Sequence, residues 1–312
     1  MGHPDLSVVL VTDHFRTIRR VVDALRGQTI CDRIETVIVT SSAQQLDLDV
    51  EATRGLGAVR VVEFGRIAPM PPARAAGVRA ATAPLIFLGE THSYAHPDFA
   101  SAILAAHTGH WDVVVPGLDN ANPDGALSWA GFLADYGAWH RDLPAGQVSA
   151  GPTWNVAYKR EALLSLGDDL ERALSAGDEV CRAFRKAGRT WYFEPRAPLD
   201  HANVSRPRPW AHERYLAGMM IAASRNTRWT RSRRLAYALA SPLIALVVLS
   251  RMIRPMTGVR RRLPRGTFVA LVAGVILRTA GEAVGYIRGA SRRDQAHMDD
   301  YELHKLKYVR HA

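Results

Sequence analysis

The chain has 312 residues, 47% hydrophobic and 22% charged, a globular balance that excludes disordered, collagen-like and disulfide-scaffold classes. Lys and Arg number 40 against 30 Asp and Glu, a formal net charge of +10. Residues 206–312 hold 21 basic against 6 acidic side chains, or +15, while the first 205 hold 19 against 24, or −5.

The first half alternates short β-branched runs with helical stretches. Leu6-Ser-Val-Val-Leu-Val-Thr12 predicts a strand, and Phe15 to Gly27 a helix with Ile18, Val21, Val22 and Leu25 at helical spacing. Further strands are predicted at Ile34–Thr40, Ala58–Phe64, Pro84–Leu88 and Trp111–Pro116, with helices at Pro72–Thr82 and Pro97–His107. Near-continuous apolar strands alternating with helices predict parallel crossovers in an α/β sheet covered on both faces. Ligands of such sheets bind beyond the carboxyl ends of the strands. After Gly117 the pattern loosens. Leu118–Gly125 is polar and turn-rich, Leu127–His140 helical and Asp142–Pro152 a loop. Trp154–Tyr158 and Thr190–Phe193 are strand-like, and Lys159–Leu166 and Asp169–Gly188 helix-like. No internal repeat is visible. Cys31 and Cys181 read as reduced thiols of a cytosolic protein, and the N-terminus lacks the pattern of a secretory signal.

The character changes at Asn203. Ser205-Arg-Pro-Arg-Pro209 breaks the chain, and a helical stretch with Met219, Met220 and Ile221 leads into the basic run Arg225–Arg234. Leu235–Ser250 is then 16 residues without a charge, followed by a basic cluster from Arg251 to Arg265 and the apolar Thr267–Leu277. A bilayer span needs about 20 apolar residues. The first apolar block is short and carries Pro242, and the second reaches that length only by including Arg278 and Glu282, costly at mid-bilayer. Arg clusters at both ends of the first block oppose a single crossing. An in-plane or re-entrant helical pair, with Arg on anionic headgroups and Trp229 or Tyr237 near the interface, satisfies both. A true span and a soluble helical extension are the competing readings. A nucleic-acid footprint fits the intervening apolar blocks less well, so no nucleic-acid partner is expected.

The order of segments in the first 205 residues resembles the family 2 glycosyltransferases, which have a GT-A fold. Leu6–Thr12 looks like the family's opening strand, Leu25-Arg-Gly-Gln-Thr29 like its helix end, and Ile34–Ser42 like its second strand. Ala73-Arg-Ala-Ala-Gly77 is similar to its Ala-Arg-Asn-x-Gly, and Pro84–Pro97 occupies the place of its metal-binding turn. Gly151–Leu163, with Asn155 and Arg160-Glu161, resembles its Gly-x-x-Asn segment, and Asp178–His201 its acidic-helix block. Two departures stand out. Val39-Thr-Ser-Ser42 lacks the Asp-rich end of the second strand, and the Asp-x-Asp turn is replaced by Gly89-Glu-Thr-His92.

The resemblance implies a GT-A, nucleotide-diphospho-sugar transferase fold: a Rossmann-like mixed sheet flanked by helices over residues 1–205. A basic helical region, 206–312, follows, with apolar segments near 235–250 and 267–287. The implied activity is inverting transfer of a hexosyl group from a nucleotide-sugar donor, UDP- or GDP-linked, to a hydroxyl acceptor. Thr12, Asp13, Thr40, Arg74, Glu90, Thr91 and His92 are the expected donor contacts. Glu90 and His92, with His201, are the expected ligands of a divalent cation, Mn or Mg, which neutralises the diphosphate leaving group. A mixed His/Glu site suits a transition metal such as Mn²⁺; the alternative is a hydrogen-bonded polar turn. Arg74 pairs with donor phosphate or makes a structural salt bridge. Asp178 or Glu179, in Gly177-Asp178-Glu179, is the implied base, or else a helix-capping acid. Trp139, His140, Trp154 and Asn155 fall in the acceptor half, where aromatic faces stack on sugar or lipid unless they are core.

The tail and the resemblance together predict a membrane-associated enzyme at the cytoplasmic face, peripheral, monotopic or re-entrant. Its partners would be anionic membrane lipids and a lipid-linked acceptor in bacterial cell-envelope polysaccharide biosynthesis. The competing reading is a catalytically silent GT-A-like protein that binds a glycan or a membrane partner. A nucleotidyltransferase is disfavoured, because no glycine-rich phosphate loop with its lysine lies near the N-terminus.

Overall fold

The computed structural model describes residues 3–175, 178–253, 259 and 263–310. Gly177 and part of the basic cluster between Arg251 and Arg265 therefore lie outside the described residues. The chain forms two compact units. The first comprises residues up to Asp119 together with Leu143–His201, and the second Asn120–Asp142 together with residues from Ala202 onward.

The first unit is built on a mixed sheet. Its strands are β1 (Leu6–Val11), β2 (Ile34–Thr40), β3 (Ala58–Glu63), β4 (Leu85–Leu88), β5 (Ser93–Ala95), β6 (Val113–Asn120), β7 (Gly146–Val148), β8 (Val156–Lys159) and β9 (Trp191–His201). They run in the order β3-β2-β1-β4-β8-β6-β9-β5, with β7 also on β9. β1, β2, β3 and β4 pair in parallel, with Leu6 opposite both Ile34 and Leu85. Every residue of β1 and β2 is buried, as expected for strands covered on both faces. β3, at the edge, is partly open.

Helices close on this half of the sheet through complementary stripes. Helix Phe15–Arg26 buries Phe15, Ile18, Val21, Val22 and Leu25. Helix Met70–Ala80 approaches so closely that a Cβ at Gly77 would lie 2.4 Å from Val9 and 2.9 Å from Val39. The Gly77 position therefore requires the absent side chain. Gln28 is a buried fastener. Its amide donates to the carbonyls of Ala24 and His96 at 3.0 and 2.8 Å and accepts from the Ala100 N–H at 2.9 Å.

The other half of the sheet is antiparallel, through β4–β8, β6–β8, β5–β9 and β7–β9, where the sequence pattern predicts only parallel crossovers. The predicted strand Thr190–Phe193 extends to His201 despite Pro195 and Pro198. Along one edge of β9, residues 191–193 pair with β7 and 199–201 with β5. Both prolines fall in the interval between these partners, where a missing N–H costs no ladder bond there. β5 and β7 are too short for a periodicity signal. The predicted helix Asp169–Gly188 is two pieces, Leu170–Ala173 and Glu179–Lys186.

The second unit is helical. Helix Ala126–Asp135 precedes a 3₁₀ turn at Gly137–Trp139, and helices Pro207–Asn226, Arg231–Ile253, Thr267–Arg288 and Arg292–Leu303 follow. Helices 207–226 and 267–288 meet backbone to backbone. A Cβ at Gly218 would lie 1.8 Å from the Arg278 carbonyl oxygen, and one at Gly281 1.9 Å from that of Tyr215. Gly281 and Gly285 form the small-xxx-small spacing that permits such approach. Buried charges here are matched: Arg214 makes two bonds to Glu213 and two to Asp135, at 2.6–2.9 Å. Glu282 is buried within 3.5 Å of both Arg225 and the Tyr286 hydroxyl.

Among the described residues, two helices are long and apolar enough to cross a membrane, Arg231–Met252 and Thr267–Arg288. The first is only 6% buried in its apolar window, the second 44%.

Candidate functional site

The parallel strands deliver their carboxyl ends along one line. Thr12 follows β1 and its N–H donates to the Val39 carbonyl at 3.0 Å, beside Thr40 at the end of β2. Gly89 follows β4, its N–H donating to Val9 at 3.0 Å. The next three residues, Glu90, Thr91 and His92, form a buried turn into β5. β5 pairs antiparallel with the end of β9, setting Ser93 opposite His201. This register brings His201 to His92 from 109 residues away, with their Nε2 atoms 3.1 Å apart.

Glu90 completes the group. Its Oε2 lies 3.5 Å from His92 Nε2 and 3.3 Å from His201 Nε2. All three side chains are buried, and each offers one ligand atom within 4.8 Å of the others. Bonds of about 2.0–2.2 Å from a common ion place neighbouring ligand atoms about 2.8–3.6 Å apart for octahedral to tetrahedral angles. The observed separations of 3.1, 3.3 and 3.5 Å fit that range. A carboxylate and two imidazoles on one side of an ion leave its other positions open.

Two neighbours orient the group. Asn155 precedes β8 with φ +57°, in the left-handed region that asparagine tolerates. Its N–H donates to Leu88 at 2.7 Å and its side-chain amide to Glu90 Oε2 at 2.5 Å. The Thr91 hydroxyl is 3.2 Å from His92 Nδ1, leaving Nε2 aimed at Glu90 and His201. Fixing a ligand imidazole through its second nitrogen is the usual way a metal site sets ring orientation.

The remaining donor-side residues are placed as follows. The Thr12 hydroxyl donates to the His14 carbonyl at 3.0 Å, a local turn bond. Asp13 accepts from Thr17 at 3.5 Å at the start of helix Phe15–Arg26. Thr40 keeps a buried hydroxyl with no hydrogen-bond partner among the described residues. The Arg74 guanidinium is buried 3.4 Å over the Trp154 ring, in the residue before Asn155. That stacking fixes the plane of the guanidinium, whose N–H groups lie at its edge.

The two candidate bases differ in surroundings. Glu179 is buried, and its Oε2 accepts from Arg182 at 2.5 Å and Arg172 at 3.3 Å. Asp178 is exposed at the N-terminus of helix Glu179–Lys186 and makes no side-chain capping bond. Nearby, burial pushes the Cys181 thiol above its ordinary range, so it stays protonated at neutral pH.

In the second unit, His140 packs between Trp129 and Phe132, ring centroids 6.4 and 5.9 Å away, and accepts from the Asp142 N–H at 3.2 Å. Trp139 is half-buried in the preceding turn. A cavity of about 810 Å³ opens at the opposite, amino ends of β1 and β4, lined by residues including Asp5, Arg33, His107 and Lys159. Burial pushes His107 there down to about 4, and none of the Glu90 group lines that space.

Sequence reasoning singled out Glu90, His92 and His201 but not Asn155 as the partner of Glu90. Its place follows from the sheet: an Asn immediately before a strand that pairs with β4 sits beside the turn that follows β4.

No family model matches the sequence, and no curated protein matches it. Among solved structures, a mannosyltransferase, PcManGT of Pyrobaculum calidifontis, in complex with GDP-Man and Mn²⁺, is similar over 90% of this chain and 88% of its own, at 17% identity and TM-score 0.56. TarS of S. aureus, residues 1–349, solved with UDP and with UDP-GlcNAc, aligns over 95% of this chain and 91% of its own, at 14% identity and TM-score 0.48. The likeness to the mannosyltransferase shows the fold: the mixed α/β sheet flanked by helices expected of a GT-A, nucleotide-diphospho-sugar transferase architecture.

Proposed function

We propose that the protein is an inverting glycosyltransferase, moving a hexosyl group from a UDP- or GDP-linked donor to a hydroxyl acceptor. The observation that carries this reading is the convergence of Glu90, His92 and His201 beyond the carboxyl end of β4, where ligands of such sheets bind. That a mannosyltransferase of the same fold holds GDP-Man and Mn²⁺ supports it.

Glu90, His92 and His201 would hold the divalent cation, Mn or Mg, which when bound supplies positive charge to the diphosphate as it leaves. The two imidazoles favour Mn²⁺ over Mg²⁺, which prefers oxygen. Asn155 keeps the Glu90 carboxylate turned inward, and Arg74, braced by Trp154, meets a phosphate oxygen. Thr12, Asp13, Thr40 and Thr91 line the donor side. Asp178 is the base of choice over Glu179, whose carboxylate is committed to two guanidiniums. It takes the acceptor proton as the hydroxyl oxygen attacks the anomeric carbon and the bond to the diphosphate oxygen breaks. Attack opposite the leaving group inverts the centre. Trp139, His140 and Trp154 are the aromatic acceptor contacts of this reading, although His140 is also a packed core residue.

In this reading the enzyme works at the cytoplasmic membrane face, its basic helical region 206–312 held by anionic lipids, with a lipid-linked glycan of the bacterial cell envelope as acceptor. The exposed apolar helix Arg231–Met252 supports this. Titration with UDP and GDP, with and without Mn²⁺ or Mg²⁺, tests the core of the proposal. Metal-dependent binding of one diphosphate, with hydrolysis or transfer from its sugar conjugate, is expected. Absence of binding under every condition overturns it, and binding without turnover would instead favour the silent glycan- or partner-binding protein.

A further inference from the structure

Within the second unit, Trp229 stands between helices Pro207–Asn226 and Arg231–Ile253. Its indole stacks on Tyr286, with centroids 5.4 Å apart and planes 10° apart, and lies 4.6 Å from Tyr237. Two guanidiniums close over this trio. Arg225 is 5.7 Å from the Trp229 ring, donates to the Tyr286 hydroxyl at 2.7 Å and is paired with Glu282. Arg233 lies 4.3 Å from the Trp229 ring and 5.8 Å from that of Tyr237. It is exposed, and no ion pair engages it among the described residues.

Immediately beyond the trio the surface is apolar. Leu235, Leu239, Leu243 and Leu246 form an exposed stripe on helix Arg231–Ile253, with Leu239 83% and Leu243 67% accessible. Spacings of three and four put them on one helical face. On helix Thr267–Arg288, Val269, Ile276 and Ile287 are likewise exposed, whereas the charge of Glu282 is turned inward. An outward order of free guanidinium, aromatic trio and aliphatic stripe matches a lipid leaflet, from headgroup phosphate through the interface to the acyl chains.

We propose that Arg233, braced on Trp229 and Tyr237, binds the phosphate of an anionic phospholipid headgroup while the Leu239–Leu243 stripe enters the acyl layer of the same leaflet. Stacking holds the guanidinium plane and leaves its N–H edges for bidentate contact with phosphate oxygens. The occupant is a bilayer and not a second copy of the chain. The partner face must be negatively charged at the rim and apolar beyond it, and residues 206–312 carry +15, so two copies would bring like charges together. The inference rests on the membrane reading of this region and names the lipid chemistry it recognises.

The full chain is tested by co-sedimentation with phosphatidylcholine vesicles, with and without phosphatidylglycerol, and by tryptophan emission compared with Trp229→Phe. Tight binding to the phosphatidylglycerol vesicles with a blue shift assigned to Trp229 is expected. Arg233→Gln should weaken that binding about fivefold, the share of one basic residue at an anionic surface, and leave binding to phosphatidylcholine alone unchanged. The double variant Leu239→Glu/Leu243→Glu, at exposed positions that do not threaten folding, should abolish both. If Arg233→Gln binds both vesicles like the wild type and Trp229 does not shift, the headgroup site is overturned while membrane attachment stands. If the wild type binds neither vesicle and the double variant turns a dimer into a monomer, the stripe is a self-association face and the membrane reading falls with the site.

Discussion

Buried carboxylates in the two units are neutralised in different ways. In the second unit, Glu213 and Asp135 are clamped by Arg214 through four bonds of 2.6–2.9 Å. A guanidinium stays protonated throughout the working pH range, so such a pair is a permanent fastening. In the first unit, Glu90 faces two imidazoles and an amide. Imidazole is neutral or charged near neutral pH and is a metal ligand when neutral. The partner type thus separates fastening from chemistry, and the first unit holds internal controls: Glu35 is bound by Arg60 and Glu179 by Arg172 and Arg182. Glu90, Glu35, Glu179 and Glu213 are all buried, and the identity of the cation sorts them.

The sharpest way to break this contrast is Glu90→Ala. If Glu90 is the anionic ligand of a cation, Mn²⁺ affinity read by electron paramagnetic resonance should fall about a hundredfold or more, and transfer with it. An unchanged Mn²⁺ affinity would reduce the group to a polar turn. Thermal stability should change little, because the His92 and His201 Nε2 atoms, 3.1 Å apart, can still bond each other.

In the second unit the largest effect belongs to backbone packing. Gly281→Leu drives a side chain into the Tyr215 carbonyl, 1.9 Å from the position of its Cβ. The cost should reach about 3 kcal/mol or more, seen as an earlier denaturant transition. A variant as stable as the wild type would mean that helices Pro207–Asn226 and Thr267–Arg288 are not in contact in solution.

The parallel half of the sheet was legible because strands buried on both faces read as unbroken runs such as Ile34–Thr40. The antiparallel half was not. β5 has three residues, and β9 runs through two prolines that local reasoning treats as breaks. Yet this half assembles the site, since His201 reaches His92 only through the β5–β9 register. Glu90 and His92 were legible from their spacing after β4, but the role of Asn155 depends on β4 pairing with β8, a long-range fact that no local pattern encodes. In the tail, Arg278 and Glu282 counted against burial in lipid. The helix instead turns Glu282 toward Arg225 and Tyr286, a direction that helical periodicity could have suggested, since Gly274, Gly281 and Gly285 mark the packed face.

A smaller effect tests whether Asn155 belongs to the site. Asn155→Ala removes the 2.5 Å bond to Glu90 and should weaken Mn²⁺ binding about tenfold to a hundredfold, the range for an orienting partner of a ligand. Asn155→Gly, which relieves the positive φ but also lacks the amide, should weaken it equally. Recovery in the glycine variant would assign the residue to the backbone turn and not to Glu90.

The smallest effect concerns Glu35, a fastening carboxylate inside the first unit. Burial alone would raise its pKa, but hydrogen bonds from the Ser7 hydroxyl at 2.5 Å, the Thr82 N–H at 2.8 Å and Arg60 at 3.1 Å outweigh burial and hold the carboxyl below its ordinary value. The unfolded chain therefore takes up a proton at this position at a higher pH than the folded one does. Stability from Glu35 is complete above the ordinary glutamate value of about 4.3 and is lost as pH falls through that value toward the lower folded one. Glu194 and Asp135 are also held low, so the contribution of Glu35 appears only as a difference between proteins. Glu35→Gln should be less stable than the wild type at pH 7 by about 1–3 kcal/mol, because Arg60 and Ser7 lose an ionised partner. The gap should narrow as the pH approaches 3, followed by denaturant midpoints at each pH. A gap of constant size across that range would mean that Glu35 is neutral in the folded state, and the rule that a guanidinium partner marks a permanently ionised fastening would fail in the unit where it is most exposed to test.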